Sequence, residues 1–202
     1  MTIMDTRPSL NRPRSKRLKQ ATHETHDRLD KAVMARKPFA SLERYALFLA
    51  VQHAFHRDID ALYDDPALAS LLPDLRKRAR LGLIEQDLAD LGKEPVTAHQ
   101  EPVFRPGRQV DIPAALGWLY VAEGSNLGAA FLLKAAAGLG LGEQFGARHL
   151  APQAGGRGLS WRNFTETLDS ISLRDDEEEL VITGATNAFG RVGSLVETVF
   201  GR

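Results

Sequence analysis

Residues 116–134 read LGWLYVAEGSNLGAAFLLK, the most apolar segment of a 202-residue chain. Its composition predicts a helix that buries most of its surface, yet Gly117, Gly124 and Gly128 interrupt it. A glycine inside a helix costs roughly 1 kcal/mol against alanine, so these three need a reason. Glycines four residues apart clear one helical face and let another body approach the backbone. Tight helix–helix packing is the commoner cause of such a pattern. Ser125 and Asn126 add polar groups that a dry packing seam does not need. A flat, large ligand pressed against bare backbone would use both features.

The surrounding chain sets limits. Its length suits one domain or at most two, with a sizeable core. Basic and acidic residues balance at 26 each, so no bulk field marks a nucleic-acid or membrane binder. The absence of cysteine excludes disulfides, thiolate metal sites and a cysteine nucleophile, and suits a reducing cytoplasm. No apolar run reaches the roughly 20 residues that span a bilayer, because Glu123 and Asn126 break the best candidate. The opening MTIMDTRPSLNRPR lacks the apolar core of a signal peptide. It reads as a loose tail over residues 1–14, ahead of a single domain over 15–202.

Helical periodicity dominates, and few stretches alternate long enough to be strands. A first helix is expected over 15–34, with Leu18, Thr22, Thr25, Leu29 and Val33 on one face. Ser41 suits the N-cap of a second helix, whose stripe runs Tyr45, Phe48, Leu49, Gln52, Phe55, His56, Ile59, Leu62, Tyr63 before Asp64-Asp65-Pro66 breaks it. A third helix is expected over 74–91, stopped by Gly92, then a proline-bearing loop over 93–111. Beyond the opening segment come a glycine-rich loop near Gly155, a helix over 161–171, and a last helix over 173–200. The last has a capping box of Ser172 with Asp175 and an acidic first turn. The pattern is that of an all-α single domain.

Several residues can carry chemistry. In ATHETHDRLD (21–30), His26 shares a stripe with Leu29 and Val33, whereas His23 is displaced towards the edge. A hydrogen-bonded core histidine and a metal ligand both fit His26. Asp30, one turn on, could accept the second ring N–H and hold one tautomer. Gln52 and His56 interrupt an apolar stripe, either as a structural hydrogen-bond network or as the wall of a wet pocket. A standard di-iron carboxylate site needs Glu-x-x-His on two helices, and no glutamate here has a histidine three residues downstream. The run Arg76, Lys77, Arg78, Arg80 is either a solvated helix face or a patch for an acidic partner.

Taken together, RLKQATHETHDRLD, VQHAFHRDID, LGWLYVAEGSNLGAAFLLK, FGARHL and NAFGRVGSL resemble the bacterial heme oxygenases over about 15–200. The specific element is Lys19, seven residues before His26, combined with EGSNLGAAF about a hundred residues later. The resemblance implies an all-α fold that holds heme between a proximal helix and a kinked distal helix. By it, His26 is the proximal iron ligand, through a neutral imidazole, and Gly124 and Gly128 lie over the porphyrin face. Lys19 and Tyr120 match the holders of the heme propionates. Gln52, His56, Arg80, Ser125 and Asn126 match a distal polar network of bound water, and Phe189 an aromatic near the pocket.

The reaction so implied takes heme as both substrate and cofactor and yields biliverdin, carbon monoxide and ferrous iron. Its electrons come from an external donor, a ferredoxin or an NADPH-dependent reductase, and a bilin-accepting photoreceptor is a possible consumer. Bare glycines give O₂ room to reach a meso carbon, and water held by a polar network delivers protons gently. A related subgroup with different cleavage sites replaces the lysine and tyrosine by other residues, and its alternative anchoring lysines are Met34 and Ala135 here. Lys19 and Tyr120 therefore imply the usual heme orientation and biliverdin IX-alpha. The competing expectation is a non-catalytic heme-binding or storage protein of the same fold.

Overall fold

The computed structural model describes residues 12–95 and 101–201. Its helices are α1 (Arg14–Ala35), α2 (Leu42–Ile59), α3 (Pro66–Leu71), α4 (Leu81–Asp90), α5 (Ile112–Ala137), α6 (Arg157–Ser170) and α7 (Asp175–Phe200). Short 3-10 turns fall at Asp60–Asp64, Leu75–Arg78 and Arg148–Leu150. Among the described residues there is no strand, only isolated bridges at Gly142. The all-α expectation holds. Residues 1–11 of the expected tail lie outside the described residues, and α1 already begins at Arg14.

Local chemistry explains most boundaries. The Ser41 hydroxyl accepts the Arg44 N–H and starts α2. Asp65 accepts the Leu68 N–H at 2.9 Å with Pro66 in the first turn, so the break at 64–66 also begins α3. The helix expected over 74–91 is two elements. Asp74 is left-handed (φ 61°) and Ala79 extended, which confines the first part to one 3-10 turn and delays α4 to Leu81. The expected Ser172 capping box is also corrected. α7 starts at Asp175, where the Glu177 carboxylate accepts the Arg174 N–H at 2.8 Å. Its acidic first turn is as expected, and α6 starts earlier than expected, at Arg157.

α7 runs through the centre and packs against α1, α2 and α5. Its crossing with α5 is very close. A methyl on Gly117 would fall within 3.0 Å of the Val181 carbonyl oxygen and the Ala185 nitrogen, and one on Gly184 within 3.0 Å of the Ala114 backbone. One core is formed by Leu18, Val51, Phe55, Ile59, Leu116, Leu119, Val181, Ala185 and Val192. A second, under the far half of α5, gathers Tyr45, Phe48, Leu49, Ile84, Leu88 and Ala129. α1 and α5 both rest on α7 without comparable contact with each other. α1 and α5 thus flank α7, and the gap between them is the candidate cleft.

Candidate active site

His26 lies on the α1 wall of this cleft. Its side chain is 54% exposed, so it is not a core histidine. Nδ1 stands 3.4 Å from Asp30 and 3.7 Å from Asp27, and the ring meets Phe189 of the α7 floor edge-on at 5.8 Å. A helix repeats its face every three to four residues, which sets Lys19, His26, Asp30 and Met34 along one side of α1. Lys19 and Met34 are both exposed.

The α5 wall is bare at two of its glycines. A Cβ on Gly124 would touch only the Trp161 ring, at 3.7 Å, and one on Gly128 would meet nothing within 4 Å. Phe131, one turn past Gly128, is 86% exposed. Tyr120, one turn before Gly124, is buried beside Trp161 with ring centroids 5.4 Å apart. Burial, with Asp169 nearby, pushes its phenol up to about 12. Asp169 accepts the Ser15 N–H and hydroxyl at 2.7 and 2.8 Å. Tyr120 and the start of α1, one turn before Lys19, are thereby drawn to the same end of the cleft.

Beside Gly124 a polar pocket is lined by Arg80, Glu123, Asn126, Gln153, Arg157 and Trp161, among others. Arg157 donates to the Asn126 carbonyl at 2.9 Å and to the Leu150 carbonyl. The Ser125 hydroxyl donates to the Ala122 carbonyl at 2.7 Å. Side chains that engage helix carbonyls are one cause of helix bending, and α5 is nonetheless helical without a break. Glu123 is buried and paired with Arg78 at 2.7 Å. Burial raises its carboxyl despite Arg78, and burial lowers the Arg80 guanidinium.

A family model described as heme oxygenase matches residues 12–198. The chain belongs to the heme oxygenase family. Heme oxygenase PigA of Pseudomonas aeruginosa is 48% identical over 189 residues, covering 93% of each chain. The NO- and CO-bound heme oxygenase of Neisseria meningitidis superposes with a TM-score of 0.87 at 43% identity, over 94% of this chain and 92% of that one. Heme oxygenase 2 of Chlamydomonas reinhardtii, solved without heme, shares the fold at a TM-score of 0.65 and 16% identity, over 92% and 97% of the chains. The chain is thus an enzyme that degrades heme, and no helix among its described residues is long and apolar enough to cross a membrane.

Within this heme oxygenase fold the expected residues are not all brought together. His26, Asp30, Phe189, Gly124 and Gly128 border the cleft. Arg80 and Asn126 share the polar pocket, and His56, fully buried, feels the charges of His149, Arg80 and His53. Burial pushes His56 down to about 3. Gln52 is half-buried one turn before His56, and neither Gln52 nor Ser125 lines the pocket. The basic run forms no open patch. Arg76 pairs with Asp64 (3.1 Å) and Asp60 (3.7 Å), Lys77 with Asp74 (2.6 Å), Arg78 with Glu123, and Arg80 is buried.

Sequence reasoning missed Trp161, Glu123, Arg78, His53 and the pair His149–Asp87. Asp87 is fully buried and accepts the His149 backbone N–H at 3.0 Å and its Nδ1–H at 2.8 Å. His149 lies beside Arg148 in FGARHL, and nothing local there announces Asp87, 62 residues away, as its partner. Glu123 was legible as the lone carboxylate in an apolar helix, and its partner Arg78 was not.

Proposed function

We propose that heme lies in the cleft with His26 on its proximal side and the Gly124–Gly128 face of α5 on its distal side. There it is cleaved to biliverdin IX-alpha, carbon monoxide and ferrous iron. The observation that carries this is the contrast among the α5 glycines. Gly117 is bare because a helix presses on it, while Gly128 is bare with no protein atom to fit. With His26 Nδ1 turned to the carboxylates of Asp27 and Asp30, Nε2 is the nitrogen left for iron, and Asp30 fixes that tautomer.

Lys19 and Tyr120 hold the two propionates at one end of the cleft, Phe189 supports the His26 ring, and Phe131 is covered by the porphyrin. Gln52, His56, Arg80, Ser125 and Asn126 keep water on the distal side, where polar atoms rather than a single strong acid hand protons to the reacting oxygen. Electrons come from a ferredoxin or an NADPH-dependent reductase. The reaction is cytoplasmic, involving no nucleic acid or membrane, and its bilin passes to a photoreceptor or to disposal after iron release.

Hemin added to the protein gives a Soret band, and a ferredoxin system in air then replaces it with a bilin spectrum. A heme complex that survives reductant and O₂ would identify a carrier instead. His26→Ala abolishes the imidazole-type spectrum and added imidazole restores it. An unchanged spectrum in that variant removes His26 as ligand.

A further inference from the structure

Reduction of O₂ consumes protons, so a closed heme pocket needs a route for them from solvent. His53 and His56 of α2 and His149 of the turn Arg148–Leu150 are three buried histidines that share no hydrogen bond. His149 Nδ1 donates to Asp87, which leaves Nε2 as an acceptor. Nε2 has no protein partner among the described residues, and neither do His56 Nδ1, His53 Nδ1, Arg80 Nε and Glu123 Oε1. Buried polar atoms in such a cluster are joined by water. His53 and His56 are one turn apart on α2 and share a face. His53 is the outermost of the three. It is 6% exposed, and its Nε2 stands 3.6 Å from a carboxylate oxygen of Glu85, whose side chain is 49% exposed on α4.

We propose that Glu85 and His53 form the solvent end of a proton relay that runs through His56 and Arg80 to the distal polar pocket. The relay rests on the heme-cleaving reading of that pocket. Each transfer adds a proton at His53 Nε2, beside Glu85, and releases one from His53 Nδ1, which is buried without a protein partner. The imidazole ends neutral in the other tautomer and resets by turning of the ring about Cβ–Cγ, with no proton returned to solvent. Glu85 gathers protons at the surface and orients the ring, as carboxylates do for histidines elsewhere. Burial holds His53 below its ordinary value, opposed by Glu85 and reinforced by Arg57 of the same helix. His56 is held down by burial and by the charges of His149, Arg80 and His53. Both rings are therefore neutral at neutral pH, and neither holds a proton as a lasting imidazolium.

The test has two arms. In the protein without heme, the ring N–H protons of His56 and His149 are followed by NMR for exchange with water. Exchange slows several-fold in His53→Phe and less in Glu85→Gln. Unchanged exchange in both variants overturns the relay whether or not the chain cleaves heme. In the heme complex with saturating reductant, His53→Phe slows bilin formation about tenfold, short of the roughly hundredfold or more that loss of a direct general acid brings. It also enlarges the solvent isotope effect, while the Soret band and heme affinity stay as they were. Glu85→Gln, a surface change that leaves folding intact, slows the rate most at high pH, where solvent protons are scarce. Unaltered rate, isotope effect and pH profile in both variants overturn the proposal, and absence of bilin from the unmodified protein overturns the reading beneath it.

Discussion

Gly117 and Gly184 meet where α5 crosses α7, and each is bare because the other helix's backbone occupies the space of its side chain. Two turns beyond Gly124's neighbour Tyr120, Gly128 on the same α5 faces no atom within 4 Å. The two kinds of glycine respond oppositely to alanine. Gly117→Ala overpacks the crossing and costs roughly 1–3 kcal/mol. Gly128→Ala leaves the heme-free protein unharmed and gains up to about 1 kcal/mol of helix propensity, but weakens heme binding. Urea unfolding and hemin titration of both variants check this. Equal destabilisation would mean that Gly128 is packed after all.

The Arg78–Glu123 pair sets a buried carboxylate against a largely buried guanidinium. Arg78 reaches Glu123 at 2.7 Å and its guanidinium also lies over the Phe164 ring. Breaking such a pair strands a buried carboxylate and costs roughly 3–5 kcal/mol. Arg78→Met is expected to do so near pH 7, and Glu123→Gln in the same background recovers much of the loss. Burial already raises Glu123, and a raised carboxyl contributes stability below its unfolded value of 4.5 that is lost as pH rises. The Arg78→Met penalty therefore shrinks on acidification. A penalty that stays constant from pH 7 to 4 would show that Glu123 is not its source.

The buried histidines act in the opposite sense. His56 falls from 6.5 in the unfolded chain to about 3 when folded, so its contribution is complete above 6.5 and is lost as pH drops towards 3. Each such histidine steepens the loss by up to about 1.4 kcal/mol per pH unit. Burial lowers His53 and His149 in the same direction, with Glu85 and Asp87 respectively opposing. Denaturant titrations between pH 7 and 4 are expected to show a shallower slope in His56→Phe than in the unmodified protein. Parallel slopes would mean that His56 reaches solvent and titrates normally.

Periodicity and capping made most of the scaffold legible. The α2 stripe, the Ser41 cap, the acidic start of α7 and the glycines of α5 are local signals, written within one turn of where they act. What escaped depends on distant partners. Arg78 and Arg80 look like solvated charges in RKRAR, and only Glu123, 45 residues away, turns Arg78 inward. The helix expected over 74–91 failed for a local reason that propensity does not reveal, the left-handed Asp74 and the extended Ala79. The site divides in the same way. His26 and the glycines stand out by spacing, while the role of Asn126 includes a carbonyl held by Arg157, which no side-chain pattern announces.

The choice of meso carbon is the most exposed consequence of the proposed site. Heme can rotate in its plane between two flat walls, and neither bare glycine nor an axial histidine opposes that rotation. Only groups at the propionate edge do. Lys19 and Tyr120 are drawn to one end of the cleft by the Ser15–Asp169 link, and Met34 and Ala135 offer no competing charge elsewhere. An exposed ammonium–carboxylate contact is worth about 1 kcal/mol or less, so Lys19→Ala lowers heme affinity only several-fold. A difference of that size is nevertheless enough to mix orientations, because the alternatives compete for the same heme. Chromatography of the bilins is expected to show IX-alpha alone from the unmodified protein, a mixture from Lys19→Ala, and IX-alpha again from Lys19→Arg. A single unchanged isomer together with unchanged affinity in Lys19→Ala would remove Lys19 from the anchoring role and leave Tyr120 to carry it.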